Sequence, residues 1–419
     1  MKVLIINSVI GVGSTGKICL SLAERLADEG HEVVIAYGRQ GNADQELVEK
    51  YGRKIGSKIS IGFHFLLTRL FDKQGFGSFL ATKRFVKWID EYKPDLIWMH
   101  NIHGYYLNVA VLFNYLKAHP EIEKRWTFHD CWPITGHCAY FEYARCKKWQ
   151  SGCEKCPLKK EYPTSLLCDN SAQNYQRKKT LFTGVANMSL IVPSAWLKSI
   201  LANSFMREYP ATIQYNTIDR GRFTYHSNDL KKRFGVEGKT VLLGVANIWE
   251  RRKGFEEFAK LSTMLGDSFV IIIVGMVGSK QERLLQSKGF VLTKHVDGNC
   301  EYQPTAARSG CPYAYSPISE IGKVIFPDVD SAFNALTGET FVKTDGEWPV
   351  HRVILVEKTE SVDALVDFYS AADVLLNPTF DENYPTVNLE ALSVGTKVIT
   401  YDTGGCKETI ENFEKGLRR

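Results

Sequence analysis

The sequence has no uninterrupted apolar run near the about 20 residues that a membrane-spanning helix requires. Its opening, Met1-Lys-Val-Leu-Ile-Ile-Asn7, is too short an apolar run for a secretory signal and reads instead as a buried strand. Neither sign of charge is in large excess. The 52 Lys and Arg residues exceed the 47 Asp and Glu residues by five, which gives little ground for a nucleic-acid partner and only weakly favours anionic ligands. Low-complexity tracts and repeats are absent, and 44% hydrophobic residues argue against disorder. Ten cysteines without an export signal point to reduced thiols or metal ligands rather than disulfides. At about 100–200 residues per domain, the 419-residue chain is expected to form two or three domains of a soluble, cytoplasmic protein.

What is present is an alternation of short apolar runs and amphipathic stretches. Strands are expected at Lys2–Ser8, Glu32–Gly38, Asp95–His100, Arg125–His129, Ser189–Pro193 and Thr212–Asn216. A glycine loop at Gly11–Gly16 leads into a helix marked by Ile18, Leu22 and Leu26. Residues 217–238 are polar and read as a connection between domains. A second α/β pattern starts at Lys239–Ala246. It continues through a helix from Phe255, the run Ser268–Gly275, a helix at Val362–Ala371, Asp373–Asn377, a helix from about Val387 and Lys397–Tyr401. The fold expected is therefore α/β, with domains at 1–216 and 239–419, mostly parallel sheets and a central cleft faced by strand carboxyl ends. Residues 289–352 break the rhythm and read as an insertion packed beside the second domain or as a poorly ordered loop, in which Glu339–Val350 could form a hairpin.

Several motifs carry chemistry. Gly11-Val-Gly-Ser-Thr-Gly-Lys17 nearly spells a nucleotide P-loop, but Ile18 stands where a magnesium-binding hydroxyl is needed, which argues against an ATPase. What survives is a glycine turn, with Gly13 and Gly16, feeding a helix N-terminus suited to an anion. His100, His103 and His129 follow strand candidates, where histidine can bond a sugar hydroxyl, act as a base or serve structure alone. Cys138, Cys146, Cys153 and Cys156 end in a C-x2-C pincer. One structural zinc ion is the expectation, with buried thiols or a redox pair as the alternatives. Arg251-Arg252-Lys253 opens a helix, where three cations oppose the helix dipole unless a polyanion offsets them. The strongest signal is Glu382-Asn-Tyr-Pro-Thr-Val-Asn-Leu-Glu390, with one carboxylate on a loop and one in the first turn of a helix. Acceptors spaced this way can hold hydroxyls at both ends of a sugar nucleotide, and the amides between them can receive its diphosphate.

At this point the chain resembles the retaining, nucleotide-sugar-dependent glycosyltransferases of family 4, most closely bacterial enzymes of colanic acid, capsule and exopolysaccharide assembly. The resemblance rests on the E-x7-E element and on His129-Asp-Cys-Trp132, Gly136-His-Cys138, Lys148-Trp149 and Gly152-Cys153. It spans residues 1–288 and 353–410. It implies a GT-B fold, with two Rossmann-like domains facing each other and the donor bound mainly by the second.

Carried over by position, Glu390 is expected to hold the nucleotide ribose and Glu382 the transferred sugar, with the amides of Thr386, Val387 and Asn388 facing the phosphates. Lys253 and Arg252 would neutralise the leaving diphosphate. His129 would touch the donor sugar, with Gly13 and Gly16 nearby, while His100 and His103 lie on the acceptor side. The reaction would need no metal, and the acceptor would be a growing or lipid-linked glycan. A sugar-nucleotide epimerase and an inactive nucleotide-sugar-binding protein are the alternatives. Residues 59–88 mix aromatic and aliphatic side chains with Lys and Arg; they read as a pair of amphipathic helices on the sheet, or as a face that could rest on the inner face of the cell membrane.

Overall fold

The computed structural model describes residues 1–262, 265, 268–287, 290–294, 300–304, 324–326, 352–359 and 361–416. The chain divides into two compact units, Met1–Tyr215 and Asn216–Arg419.

The first unit contains strands β1 (Lys2–Val9), β2 (Glu32–Arg39), β3 (Gly52–Lys54), β4 (Leu96–Met99), β5 (Glu123–Thr127), β6 (Met188–Val192) and β7 (Ala211–Ile213). Its helices are α1 (Gly13–Asp28), α2 (Gln45–Tyr51), α3 (Lys58–Phe71), α4 (Phe79–Tyr92), α5 (Val109–Ala118), α6 (Ser171–Phe182) and α7 (Ala195–Ala202). The strands form one sheet in the order β3-β2-β1-β4-β5-β6-β7, with every pair parallel. A parallel strand in the middle of such a sheet must be apolar on both faces. In β1, Leu4 and Ile6 join one core cluster while Val3 and Ile5 join the other. Cys19, Leu22, Ala23 and Leu26 bury the matching stripe of α1.

The second unit contains α8 (Leu230–Arg233), β8 (Thr240–Trp249), α9 (Phe255–Leu261), β9 (Phe269–Val277), α10 (Ser279–Ser287), β10 (Phe290–Lys294), β11 (Cys300–Pro304) and β12 (Val324–Phe326). Next come β13 (Arg352–Val356), α11 (Val362–Ala371), β14 (Val374–Asn377), α12 (Thr386–Val394), β15 (Lys397–Tyr401) and α13 (Cys406–Glu414). The sheet order is β10-β11-β13-β9-β8-β14-β15-β12. Along β9, Ile271 and Ile273 face one core cluster while Val270, Ile272 and Val274 face the other. In each unit the strand order reverses direction beside the first strand, between β1 and β4 and between β8 and β14. Ligands of doubly wound sheets bind outside the carboxyl ends at this switch point.

The structure corrects one expected boundary and adds detail to two other segments. Strand β5 ends at Thr127 rather than His129. Its early start was hidden by charged Lys124, whose side chain is fully buried because its ammonium bonds the carbonyls of His119 and Ala186. Residues 217–238 are more than a polar connection, since Phe223, Leu230, Phe234 and Val236 are buried in the core of the second unit. The described parts of 289–352 join the sheet: β10 and β11 extend it antiparallel beyond β13, and β12 lies parallel to β15. The expected hairpin at 339–350 lies outside the described residues.

Candidate active site

In the first unit, the ends of β1 and β4 are tied by fully buried Asn7. Its Oδ1 accepts the Asn101 N–H at 3.2 Å, and its Nδ2 donates to the Val9 carbonyl at 2.8 Å. His100 comes directly after β4. Its Nδ1 lies 2.9 Å from Nε2 of His129, with the rings stacked. Burial drives both imidazoles towards the neutral form, His129 to about 4 despite the opposing Asp130 carboxylate. Nε2 of His100 is buried and has no hydrogen-bond partner. His103 is held differently, with Nε2 2.8 Å from Asp130 Oδ2 and Nδ1 3.1 Å from the Tyr162 hydroxyl. The structure thus gathers His100, His103 and His129 at one end of the sheet.

The glycine turn is shorter than expected, because α1 already begins at Gly13. No side chain caps this helix and no acid lies in its first turn, so its first N–H groups remain available to an anion. Gly13 has φ +65° and open space where a side chain would stand. Gly16 serves packing instead: a Cβ there would lie 3.1 Å from the Val9 side chain and 3.2 Å from the Gly11 nitrogen.

Cys138, Cys146, Cys153 and Cys156 do line one small cavity, with His137, Phe141 and Trp149 among its other walls. The zinc expectation is nevertheless not met. Among the described residues, no group of three or more His, Cys, Asp or Glu side chains is arranged to hold a metal ion. The Cys138 thiol bonds Cys156, which holds the Cys156 thiol below its ordinary value against the effect of burial. Cys138, Cys146, Cys153 and Cys156 form no disulfide. Lys178 lies over the Trp132 ring. It is fully buried, donates to the carbonyls of Trp132 and Thr135, and is pushed down to about 7 by burial. Nothing in the α6 sequence announced that role.

The second unit gathers charge instead. After β8 the chain makes a tight turn, Arg251–Lys253, ending at Gly254 with φ +75°. A Cβ on Gly254 would collide with the Pro378 carbonyl beyond β14, so only glycine allows this approach. The Phe380 N–H and the Thr379 hydroxyl both donate to the Arg252 carbonyl, stitching the two strand ends together. This brings Glu382 against the cations. Lys253 Nζ donates to Glu382 Oε2, and Arg252 Nη1 lies 3.6 Å from the same oxygen while also donating to the Asp381 carbonyl. Burial raises the Glu382 carboxyl, but Lys253 and Arg252 outweigh it and hold the group below its ordinary value. The Glu382 carbonyl accepts the Gly405 N–H. A Cβ on Gly404 would strike it, so the Gly404-Gly405 turn after β15 belongs to the site. The sequence reading had not assigned that turn a role.

Helix α12 begins immediately beyond, with Pro385 at its N-cap, no side-chain cap and no acid in its first turn. Thr386 and Val387 are partly exposed, and the Asn388 side chain is buried. Asn388 bridges Asn377 of β14 and Thr409 of α13, which fixes the angle of the helix start. One turn on, the half-buried Glu390 carboxylate accepts the Tyr369 hydroxyl at 2.7 Å. Burial first, and Glu390 second, keep that phenol protonated. The site therefore joins an ion cluster, a bare helix N-terminus and a second carboxylate.

Residues 15–161 match the model of the family described as Glycosyltransferase Family 4, and residues 351–418 match that of Glycosyl transferases group 1. A protein of Escherichia coli (strain K12) described as a colanic acid biosynthesis glycosyl transferase, WcaC, is 29% identical over 193 residues, covering 43% of this chain and 45% of its own. The D-inositol 3-phosphate glycosyltransferase of Rhodococcus jostii (strain RHA1) is 38% identical over 58 residues, covering 14% of this chain and 13% of its own. The chain thus spans less than half the length of the curated relatives it matches. Among solved structures, sucrose-phosphate synthase from Thermosynechococcus elongatus has a TM-score of 0.58 at 16% identity, covering 98% of this chain and 83% of that one. Anabaena Alr3699/HepE in complex with UDP and glucose has 0.54 at 12%, covering 97% and 82%. WaaG, a glycosyltransferase involved in lipopolysaccharide biosynthesis, has 0.54 at 14%, covering 98% and 84%. At these identities the likeness shows the fold: two parallel-sheet α/β domains of the GT-B kind.

Proposed function

We propose that the protein transfers a sugar from a nucleotide diphosphate sugar to a glycan acceptor, with retention at the anomeric carbon and without a metal in the reaction. The observation that carries this reading is the cluster of Arg252, Lys253 and Glu382 beside the uncapped start of α12. A diphosphate placed there meets the helix N–H groups of Thr386, Val387 and Asn388 and the two cations. Glu390 then accepts from the ribose hydroxyls, and Glu382 exchanges its cation contacts for a hydroxyl of the transferred sugar. The second unit is the donor side. The neutral His100–His129 pair in the first unit offers hydrogen bonds to sugar hydroxyls without presenting charge.

In the reaction an acceptor hydroxyl oxygen bonds the anomeric carbon on the face that the diphosphate leaves. The bond from that carbon to the diphosphate oxygen breaks, and the same oxygen takes the hydroxyl proton. Lys253 and Arg252 stabilise the negative charge that develops on the leaving group. The match to glycosyltransferase models in both units and the fold shared with Alr3699/HepE, whose structure holds UDP and glucose, support this assignment.

The test is incubation with UDP-, GDP-, ADP- and dTDP-sugars and an acceptor panel, with nucleoside diphosphate release and product anomers read by NMR. Acceptor-dependent release with an unchanged anomer is expected. Lys253→Ala should lower turnover by about 10²–10³-fold, well beyond its effect on donor binding. Conversion of the nucleotide sugar to its epimer without an acceptor, or inversion at the anomeric carbon, would overturn the reading.

A further inference from the structure

Helix α3 is inside out. Of its 14 residues, the two that are buried are polar, His64 and Thr68. Nδ1 of His64 lies 3.1 Å from the Ser78 hydroxyl, and its Nε2 accepts the N–H groups of Gly75 and Gly77, both at 3.1 Å. Thr68 donates to the His64 carbonyl. These bonds fasten the helix by its polar side and turn its apolar side outward. Ile59 is 85% exposed, Phe63 61% and Leu66 49%, at the spacing of one helical face.

Two further elements continue this surface. Phe79 and Leu80 open α4 at 50% and 68% exposure, beside the Ser78 that His64 grips. Leu166 and Leu167, at 59% and 65%, sit in a turn whose backbone is bonded to the end of α3: the Leu166 N–H donates to the Arg69 carbonyl, and the Cys168 N–H to that of Leu70. Among the described residues, ten of the fourteen large hydrophobic side chains that are well exposed belong to α3, the start of α4 or residues 162–167. Apolar surface concentrated in this way marks an interaction face.

The charge pattern selects the partner. Residues 57–89 carry Lys58, Arg69, Lys73, Lys83, Arg84 and Lys87 against a single carboxylate, Asp72. Asp72 is buried and spent on His137 and Asn170. The cations mix with the apolar residues, Arg69 over the Phe65 ring and Lys83 over the Phe79 ring. Lys159 and Lys160 precede the 162–167 turn, beside one carboxylate, Glu161. Two copies joined through this face would press the same cations together, which disfavours a symmetric dimer. No helix among the described residues is long and apolar enough to cross a membrane.

We propose that α3, the start of α4 and residues 162–167 together dock on an anionic phospholipid surface. The apolar side chains enter the headgroup boundary, and the Lys and Arg residues meet the lipid phosphates. This surface stands independently of the sugar-transfer reading.

The test is co-sedimentation of the 419-residue chain with vesicles of phosphatidylglycerol and phosphatidylethanolamine, against vesicles of phosphatidylcholine alone. Partitioning onto the anionic vesicles should be at least about tenfold stronger and should weaken as salt is raised. Phe63→Ser with Leu167→Ser, and separately Lys83→Glu with Lys87→Glu, should each cut it by about tenfold or more. Both pairs should leave the thermal midpoint and nucleoside diphosphate binding unchanged, so failure here is distinguishable from failure of the sugar-transfer reading. Equal partitioning on both vesicle types, or partitioning untouched by both pairs, would overturn the proposal. So would a parent chain that ignores vesicles and a Phe63→Ser, Leu167→Ser variant that converts a dimer to a monomer.

Discussion

The two sheets order their strands alike around the switch point, β2-β1-β4-β5 in one unit and β9-β8-β14-β15 in the other. The side chains at those strand ends differ in kind. Beyond β4 and β5 stand neutral histidines, stripped of charge by burial, whereas beyond β8 and β14 stand two cations, a carboxylate and a bare helix start. Topology fixes where a doubly wound sheet meets a ligand, and the residues placed there fix which ligand. A polyanion suits the second unit. Uncharged hydroxyls suit the first.

The turns after the first strands sharpen that contrast. Gly254→Ala should cost about 3 kcal/mol or more in the second unit, because a Cβ with positive φ must displace the Pro378 carbonyl. Chemical denaturation would measure it. A cost below about 1 kcal/mol would mean that the β8 and β14 ends are not clamped at Gly254. Acid should divide the units next. His64 and His129 are pushed down to about 4 by burial, against an ordinary value of 6.5. Between those values the unfolded chain binds protons that the folded chain refuses. This contribution is full above pH 6.5 and is lost as pH falls through about 4, at about 3 kcal/mol per histidine. Six of the eight tryptophans lie in residues 1–215, so fluorescence-detected unfolding reports mainly on the first unit. Its midpoint should fall over that window, and His129→Gln should flatten the fall; an unchanged slope would contradict the neutral pair. The smallest effect belongs to Gly13→Ala, about 1 kcal/mol from backbone strain alone, because nothing stands near its missing side chain. A cost equal to that of Gly254→Ala would show that the two turns are built alike.

Much of this was legible in the sequence, for physical reasons. Runs such as Val3-Leu-Ile-Ile6 and Val270-Ile-Ile-Ile-Val274 are short and rich in β-branched residues, as strands covered on both faces are, and the spacing of Glu382 and Glu390 about a helix start was visible directly. The pairing of Lys253 with Glu382 was not, because 129 residues separate them and only the order of β8 beside β14 brings them together. Helix α3 carries a readable apolar face, but periodicity cannot say which side turns outward; the His64 anchor decides that. The four cysteines were read correctly as neighbours around one cavity, but among the described residues they form no arrangement that supports the zinc reading.

The central claim is that the second switch point is built for a nucleoside diphosphate. Calorimetric titration of UDP, GDP, ADP and dTDP into the parent chain, Glu390→Ala and Glu382→Ala tests it most directly. One nucleotide should bind the parent. Glu390→Ala should weaken it by about ten- to a hundredfold, the loss of charge-assisted hydrogen bonds worth about 1.5–3 kcal/mol, while Glu382→Ala should leave it nearly intact. No binding to the parent, or equal binding to the parent and Glu390→Ala, would contradict the claim.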